Sequence, residues 1–214
     1  MIGYYNYTVI LTYMSLVSAV LGVFFALGID CSAPHPEYAI ICLMVSGLCD
    51  MFDGKIARTK KNRTENEKKF GVQIDSLCDV ICFGVLPTVI GYSIGMNSWV
   101  DMPVLAIYLL CAVIRLAYFN VAEEERQKKT EDVRKVYEGL PVTSVALILP
   151  LLYSFYNDIG TKLFSTVYGA AMFIIAIAFI TRFKVKKPCM KTMLCFIGVG
   201  VIELIWMLYK VKIK

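Results

Sequence analysis

Residues 8–28 read TVILTYMSLVSAVLGVFFALG, 21 consecutive positions without a charged side chain. A helix rises about 1.5 Å per residue, so about 20 apolar residues cross a hydrocarbon core of about 30 Å. The same test singles out Val80–Val100 and Leu163–Thr181, with a shorter uncharged run at Thr192–Ile202. The whole chain of 214 residues is 58% hydrophobic and 18% charged, against about 25% charged in a soluble domain. The apolar residues are concentrated in runs that no soluble core of this size could bury. Candidate spans are 8–28, 38–58, 70–95, 102–121, 140–157, 163–181 and 192–209. The fifth is short and the seventh is interrupted by charge, so six is the firmer minimum. The first lacks a basic leader and is too long for a signal-peptide core, and is read as a retained helix. The expected fold is an all-α integral membrane protein, a bundle of six to eight transmembrane helices. With no internal repeat and no low-complexity tract, residues 1–214 read as a single domain.

The connections carry the orientation. Segments 59–69, 122–138 and 182–191 hold fifteen Lys and Arg in alternate connections, five in each, whereas 29–37, 96–101 and 158–162 hold only Lys162. Positive loops stay in the cytoplasm, which places the N-terminus inside. A seventh crossing would put Lys210, Lys212 and Lys214 outside, against this pattern. Nucleic acid is a poor partner for these bases, since segment 122–138 has six acids beside them; attraction to anionic headgroups is the better reading. The eight cysteines form no CxxC pair and there is one histidine, His35, so neither zinc nor thiol-redox chemistry is expected. Cys78 and Cys82, spaced i, i+4, read as helix packing.

Charge inside a span is costly and calls for a reason. The second span ends Asp50-Met51-Phe52-Asp53-Gly54-Lys55-Ile56-Ala57-Arg58, and the third opens Gly71-Val72-Gln73-Ile74-Asp75-Ser76-Leu77-Cys78-Asp79. Asp50, Asp53, Gly54 and Ala57 fall on one helical face, and Gly71, Asp75 and Asp79 on another. Consecutive antiparallel spans are neighbours, so these faces can meet at the cytoplasmic end. Four facing carboxylates repel one another in a low dielectric unless divalent cations neutralise them. Oxygen donors suit Mg²⁺, Mn²⁺ or Ca²⁺. Gly54, Ala57 and Gly71 allow close backbone approach, and Arg58 suits a phosphate. The pattern points to pyrophosphate chemistry on a lipid. One intramembrane aspartate could equally serve packing or an ion pathway, and the cluster could be the cation site of a transporter. Four aspartates in register with two glycines and an arginine favour the enzyme.

These residues closely resemble the CDP-alcohol phosphotransferase family, whose signature is D-x2-D-G-x2-A-R, a spacer, and G-x3-D-x3-D. All eight fixed positions are present: Asp50, Asp53, Gly54, Ala57, Arg58, Gly71, Asp75 and Asp79. The spacer from Thr59 to Phe70 has twelve residues where the family has about eight or nine, and its polar extra residues are expected to lengthen the cytoplasmic loop. The resemblance implies two Mg²⁺ or Mn²⁺ ions on Asp50, Asp53, Asp75 and Asp79, with Asp79 also the catalytic base. It places Thr12, Asp50, Gly54, Ala57, Arg58 and Gly71 around the CDP diphosphate. It also implies a catalytic core of about 8–181, an additional C-terminal helix at 192–209, and a homodimer.

Three stretches are similar to the phosphatidylserine synthase branch: Ile74–Val80 followed by Phe83-Gly84-Val85, Arg115-Leu116-Ala117-Tyr118-Phe119-Asn120, and Glu138-Gly139-Leu140-Pro141-Val142. Tyr118 stands where the branch has a second arginine. The phosphatidylglycerophosphate synthases carry a proline and a lysine at the positions of Ser76 and Val80. The resemblance therefore implies CDP-diacylglycerol as donor and L-serine as acceptor in a membrane of lipid, giving phosphatidylserine and CMP. Arg115 and Asn120 are acceptor-site candidates; Arg115 is otherwise a snorkelling arginine and Asn120 a helix cap. Another acceptor, glycerol 3-phosphate or inositol phosphate, would call on Arg115, Arg182 and Lys184. Glu203, within the last span, has no evident partner.

Overall fold

The computed structural model describes residues 3–4, 6–29, 33–60, 62–129, 136–186 and 190–212. Helices cover all seven expected segments. They are α1 (Ile10–Leu27), α2 (Pro36–Ala57), α3 (Glu65–Asp79), α4 (Leu86–Ser93), α5 (Asp101–Lys129), α6 (Val145–Tyr153), the short α7 (Tyr156–Ile159), α8 (Thr161–Ile180) and α9 (Met190–Lys212). A π-turn at Val80–Val85 joins α3 to α4. Tyr7–Leu27, Glu65–Ser93, Asp101–Arg126 and Thr161–Ile180 are long and apolar enough to cross a bilayer, while Val142–Tyr153 and Thr192–Trp206 are shorter apolar helices. The chain is an integral membrane protein built almost wholly of helix.

The pairing of α1 with α2 begins in their small residues. Thr12, Ser15, Ala19, Gly22 and Ala26 are the buried residues of α1, whereas Ile10, Met14, Val17, Leu21 and Phe24 lie on its exposed side. A lipid-facing surface can be apolar, and small residues let backbones approach where helices meet. Ser15 Oγ donates to the Ser46 carbonyl at 3.2 Å, Ser46 Oγ returns a bond to the Ser15 carbonyl at 2.9 Å, and Ser18 Oγ donates to the Cys42 carbonyl at 3.0 Å. A Cβ on Gly22 would lie 2.9 Å from that of Cys42. The chain leaves α1 through Gly28, whose φ of +71° only glycine adopts easily.

The continuous α3–α4 rod runs through the core, burying Cys82, Phe83, Leu86 and Ile90 against Ile40 and Leu43 of α2, Tyr108 and Ala112 of α5, and Tyr168 and Met172 of α8. Pro87 cannot donate to the carbonyl four residues back. That carbonyl, of Phe83, instead accepts the Tyr108 hydroxyl at 2.6 Å, and the Tyr168 hydroxyl bonds the Pro87 carbonyl at 3.3 Å. Removing the first hydroxyl strands a buried acceptor. Tyr108→Phe is expected to destabilise the bundle by about 1–3 kcal/mol, read as a lowered unfolding temperature in detergent; an unchanged one would mean that the bond contributes nothing.

Two features depart from the sequence reading. Half of the spacer between the aspartate pairs is helix. Thr64 caps α3 by accepting the Glu67 N–H at 3.2 Å, and Glu67 answers by accepting the Thr64 N–H at 2.9 Å, so Glu65–Phe70 form the first turns of α3 and do not lengthen the loop. This is the reciprocal capping box. The all-α expectation also needs an addition. β1 (Val136–Glu138) pairs antiparallel with β2 (Lys184–Lys186), Glu138 opposite Lys184, and ties two of the basic connections together. Opposite charges across a ladder are favourable.

Candidate active site

The last two turns of α2 and the last two turns of α3 bring the two aspartate pairs face to face. Carboxylate oxygens of Asp50, Asp75 and Asp79 lie within 4.8 Å of one another. The Asp50 carboxyl interacts with that of Asp79, and the Asp53 carboxyl with that of Asp75. The fourth aspartate is thus joined to the cluster through Asp75. Thr12 Oγ1 of α1 donates to Asp53 Oδ2 at 3.3 Å, adding a third helix. Asp53 and Asp79 are only 8% and 9% exposed. Asp79 is the last residue before the π-turn, an irregularity frequent at functional sites. Four carboxylates this close, mostly buried, and with hard oxygen as the only donor type, fit a divalent cation.

Around the cluster lie the other signature residues. Gly54 and Arg58 are exposed at the end of α2, where Arg58 Nε donates to the Gly54 carbonyl at 2.8 Å. Ala57 and Gly71 face the connection between α2 and α3. A residue that sequence reasoning passed over, Arg63, spans that gap. Its Nη1 lies 3.5 Å from the Ala57 carbonyl and its Nη2 3.2 Å from that of Glu67. Its sequence signal was only one base among five in a basic connection.

The acceptor candidates separate. Asn120 Oδ1 accepts from Ser76 Oγ at 2.8 Å, which sets it beside Asp75 on the neighbouring residue of α3. It does not cap a helix, because α5 continues to Lys129. Arg115 is buried, 6% exposed, so it does not reach out to solvent. Its Nε donates to the Leu140 carbonyl at 3.2 Å, and it packs against the bend at Gly139, whose φ is +76°. These contacts join Arg115 to the 139–140 turn, not to the aspartates. Tyr118 donates to Glu138 Oε2 at 2.8 Å and carries the Arg182 guanidinium over its ring at 5.5 Å. His35, just before α2, pairs with Glu37 in the first turn of that helix at 3.0 Å. Glu203 is buried, and its Oε2 has no hydrogen-bond partner among the described residues.

The helical membrane bundle thus gathers four carboxylates and an exposed arginine at one end. A profile of the CDP-alcohol phosphatidyltransferase family matches residues 5–183, and the chain belongs to that family. It is 36% identical over 123 residues to a CDP-diacylglycerol–serine O-phosphatidyltransferase of Saccharomyces cerevisiae, covering 56% of this chain and 43% of the relative. It is 33% identical over 138 residues to the enzyme of that name from Helicobacter pylori, covering 60% and 54%. It is 29% identical over 153 residues to an archaetidylserine synthase of Methanothermobacter thermautotrophicus, covering 70% and 58%. The chain spans about half the length of the curated relatives it matches.

Proposed function

We propose that this chain transfers a phosphatidyl group from CDP-diacylglycerol to L-serine, releasing CMP. The four-carboxylate cluster carries the reading, and the serine-transferase names of its relatives support the acceptor. Asp50, Asp53, Asp75 and Asp79 would hold Mg²⁺ or Mn²⁺, two ions in all, which would neutralise the donor diphosphate and the charge developing on the departing CMP. Thr12 orients Asp53 through its hydroxyl. Gly54 and Ala57 leave room for the CDP moiety beside Arg58, whose guanidinium matches a phosphate; the space over Gly71 is taken by Arg63. Asp79 accepts the proton of the serine hydroxyl as its oxygen bonds the phosphatidyl phosphorus and the bond to CMP breaks. Asn120, held by Ser76 next to Asp75, and Arg115 are the acceptor-side residues. The alternation of basic connections supports a cytoplasmic setting for this end of the bundle, and on this reading residues 1–214 act as one unit within a homodimer.

A phosphorylated acceptor would need spare cations. Arg182 sits over the Tyr118 ring and Lys184 stands opposite Glu138, which favours the unphosphorylated alcohol. Detergent-purified protein given CDP-diacylglycerol and Mn²⁺ is expected to release CMP only when L-serine is added. Release with glycerol 3-phosphate or inositol phosphate in its place would move the acceptor, and Mn²⁺ flux into vesicles without CMP release would make the cluster a transport site.

A further inference from the structure

We propose that Arg63 is a positioning residue for the metal centre, setting the separation of the two aspartate-bearing helices; this rests on the cation-binding reading above. Ala57 is the last residue of α2, so its carbonyl has no partner within the helix, and a cation there complements the helix dipole. Arg63 reaches this carbonyl with Nη1 and the Glu67 carbonyl in the first turns of α3 with Nη2. A planar guanidinium can serve two acceptors in fixed directions, which a lysine ammonium on a flexible stem does poorly. The Arg63 Nε–H is buried with no partner among the described residues, a costly state that persists only if the rest of the side chain is held in place.

Two observations lock the arginine there. A Cβ on Gly71 would lie 2.6 Å from Arg63 Nη2, so the glycine leaves the space that the guanidinium fills. Gly71 stands one helical turn before Asp75, on the face that carries the cluster. From outside, Glu67 gathers Lys60 Nζ at 2.7 Å and Asn6 Nδ2 at 3.4 Å, while Tyr4 packs on Phe70 with ring centroids 5.7 Å apart. The N-terminal segment thereby holds the first turns of α3, whose Glu67 carbonyl receives Arg63. Mutating groups that support metal ligands costs about 10–100-fold in affinity.

The test is a cycle of Arg63→Ala, Gly71→Ala and the double variant in the full-length protein. Mn²⁺ affinity is read by electron paramagnetic resonance, and CMP release is read beside it. A methyl at position 71 evicts the guanidinium, so each single variant is expected to bind Mn²⁺ about tenfold more weakly, and the double variant no more weakly than either. The sign discriminates. If Arg63 were only a nearby positive charge, its removal would tighten Mn²⁺ binding, and that result, or losses that simply add, overturns the proposal. Should Arg63→Ala fail to fold, Arg63→Lys replaces it, and wild-type affinity in Arg63→Lys refutes the bridging role. Wild-type protein that binds Mn²⁺ but releases no CMP with serine would sink the substrate reading while the affinities still judge Arg63. Wild-type protein that binds no Mn²⁺ would sink both.

Discussion

Asp79→Asn is expected to slow CMP release by about 10³-fold, within the range that a positioned general base contributes, while leaving the fold intact. Asparagine keeps the volume of the side chain and its ability to meet the Asp50 carboxyl, so the buried packing around the start of the π-turn is preserved. It cannot take up a proton from an attacking hydroxyl. Asp79 is also read as a metal ligand, and the two roles separate by experiment. Rates measured at saturating Mn²⁺ remove the contribution of weakened metal binding, and what remains lost belongs to proton transfer. Unfolding temperature and elution profile should match those of the wild type. A variant that turns over within tenfold of wild type at saturating Mn²⁺ would remove Asp79 from the base role and leave it a ligand.

The site was more legible than the elements that frame it. Spacings of three and four residues put Asp50 with Asp53 and Asp75 with Asp79 whatever the tertiary fold, and a short connection makes α2 and α3 neighbours. Hydropathy located the apolar helices because water and hydrocarbon impose a length. It could not locate helix ends, since a helix may run on beyond the bilayer. The first turns of α3 read as a polar loop because Glu65, Glu67, Lys68 and Lys69 crowd it, although Thr64 and Glu67 stand at capping-box spacing and were the signal to follow. The end of α5 was misplaced for the same reason. Beyond Asn120 the helix continues through Glu123 and Arg126, which pair across one turn at 2.6 Å. The β1–β2 ribbon has three-residue strands separated by more than forty residues in sequence, too short to show a period. Arg63 was invisible because its partners are backbone carbonyls, and only the closure of the connection decides which ones it meets.

Removal of divalent cation is expected to abolish turnover and to lower thermal stability together. In the bundle, burial and mutual repulsion both oppose four ionised carboxylates within one small volume. Either the site takes up cations or its members must hold protons, and protonated carboxyls can neither grip a diphosphate through metal nor act as base. A ligand that binds only the folded state stabilises it by about 2.7 kcal/mol at a hundredfold excess over its dissociation constant. Wild-type protein in detergent should therefore unfold at a higher temperature with Mn²⁺ than in chelator. Chelated protein should release no CMP until Mn²⁺ or Mg²⁺ is returned. The stabilisation should shrink in Asp50→Asn and Asp75→Asn, which each take one charged ligand from the cluster, yet persist in Arg182→Ala, whose side chain stacks on Tyr118 away from it. Restoration by Mg²⁺ and Mn²⁺ but not by Ca²⁺ would fit the demand of the smaller ions for tight oxygen geometry. Full CMP release in chelator would mean that the cluster works by its protons alone, and the assignment of Asp50, Asp53, Asp75 and Asp79 as metal ligands would fall.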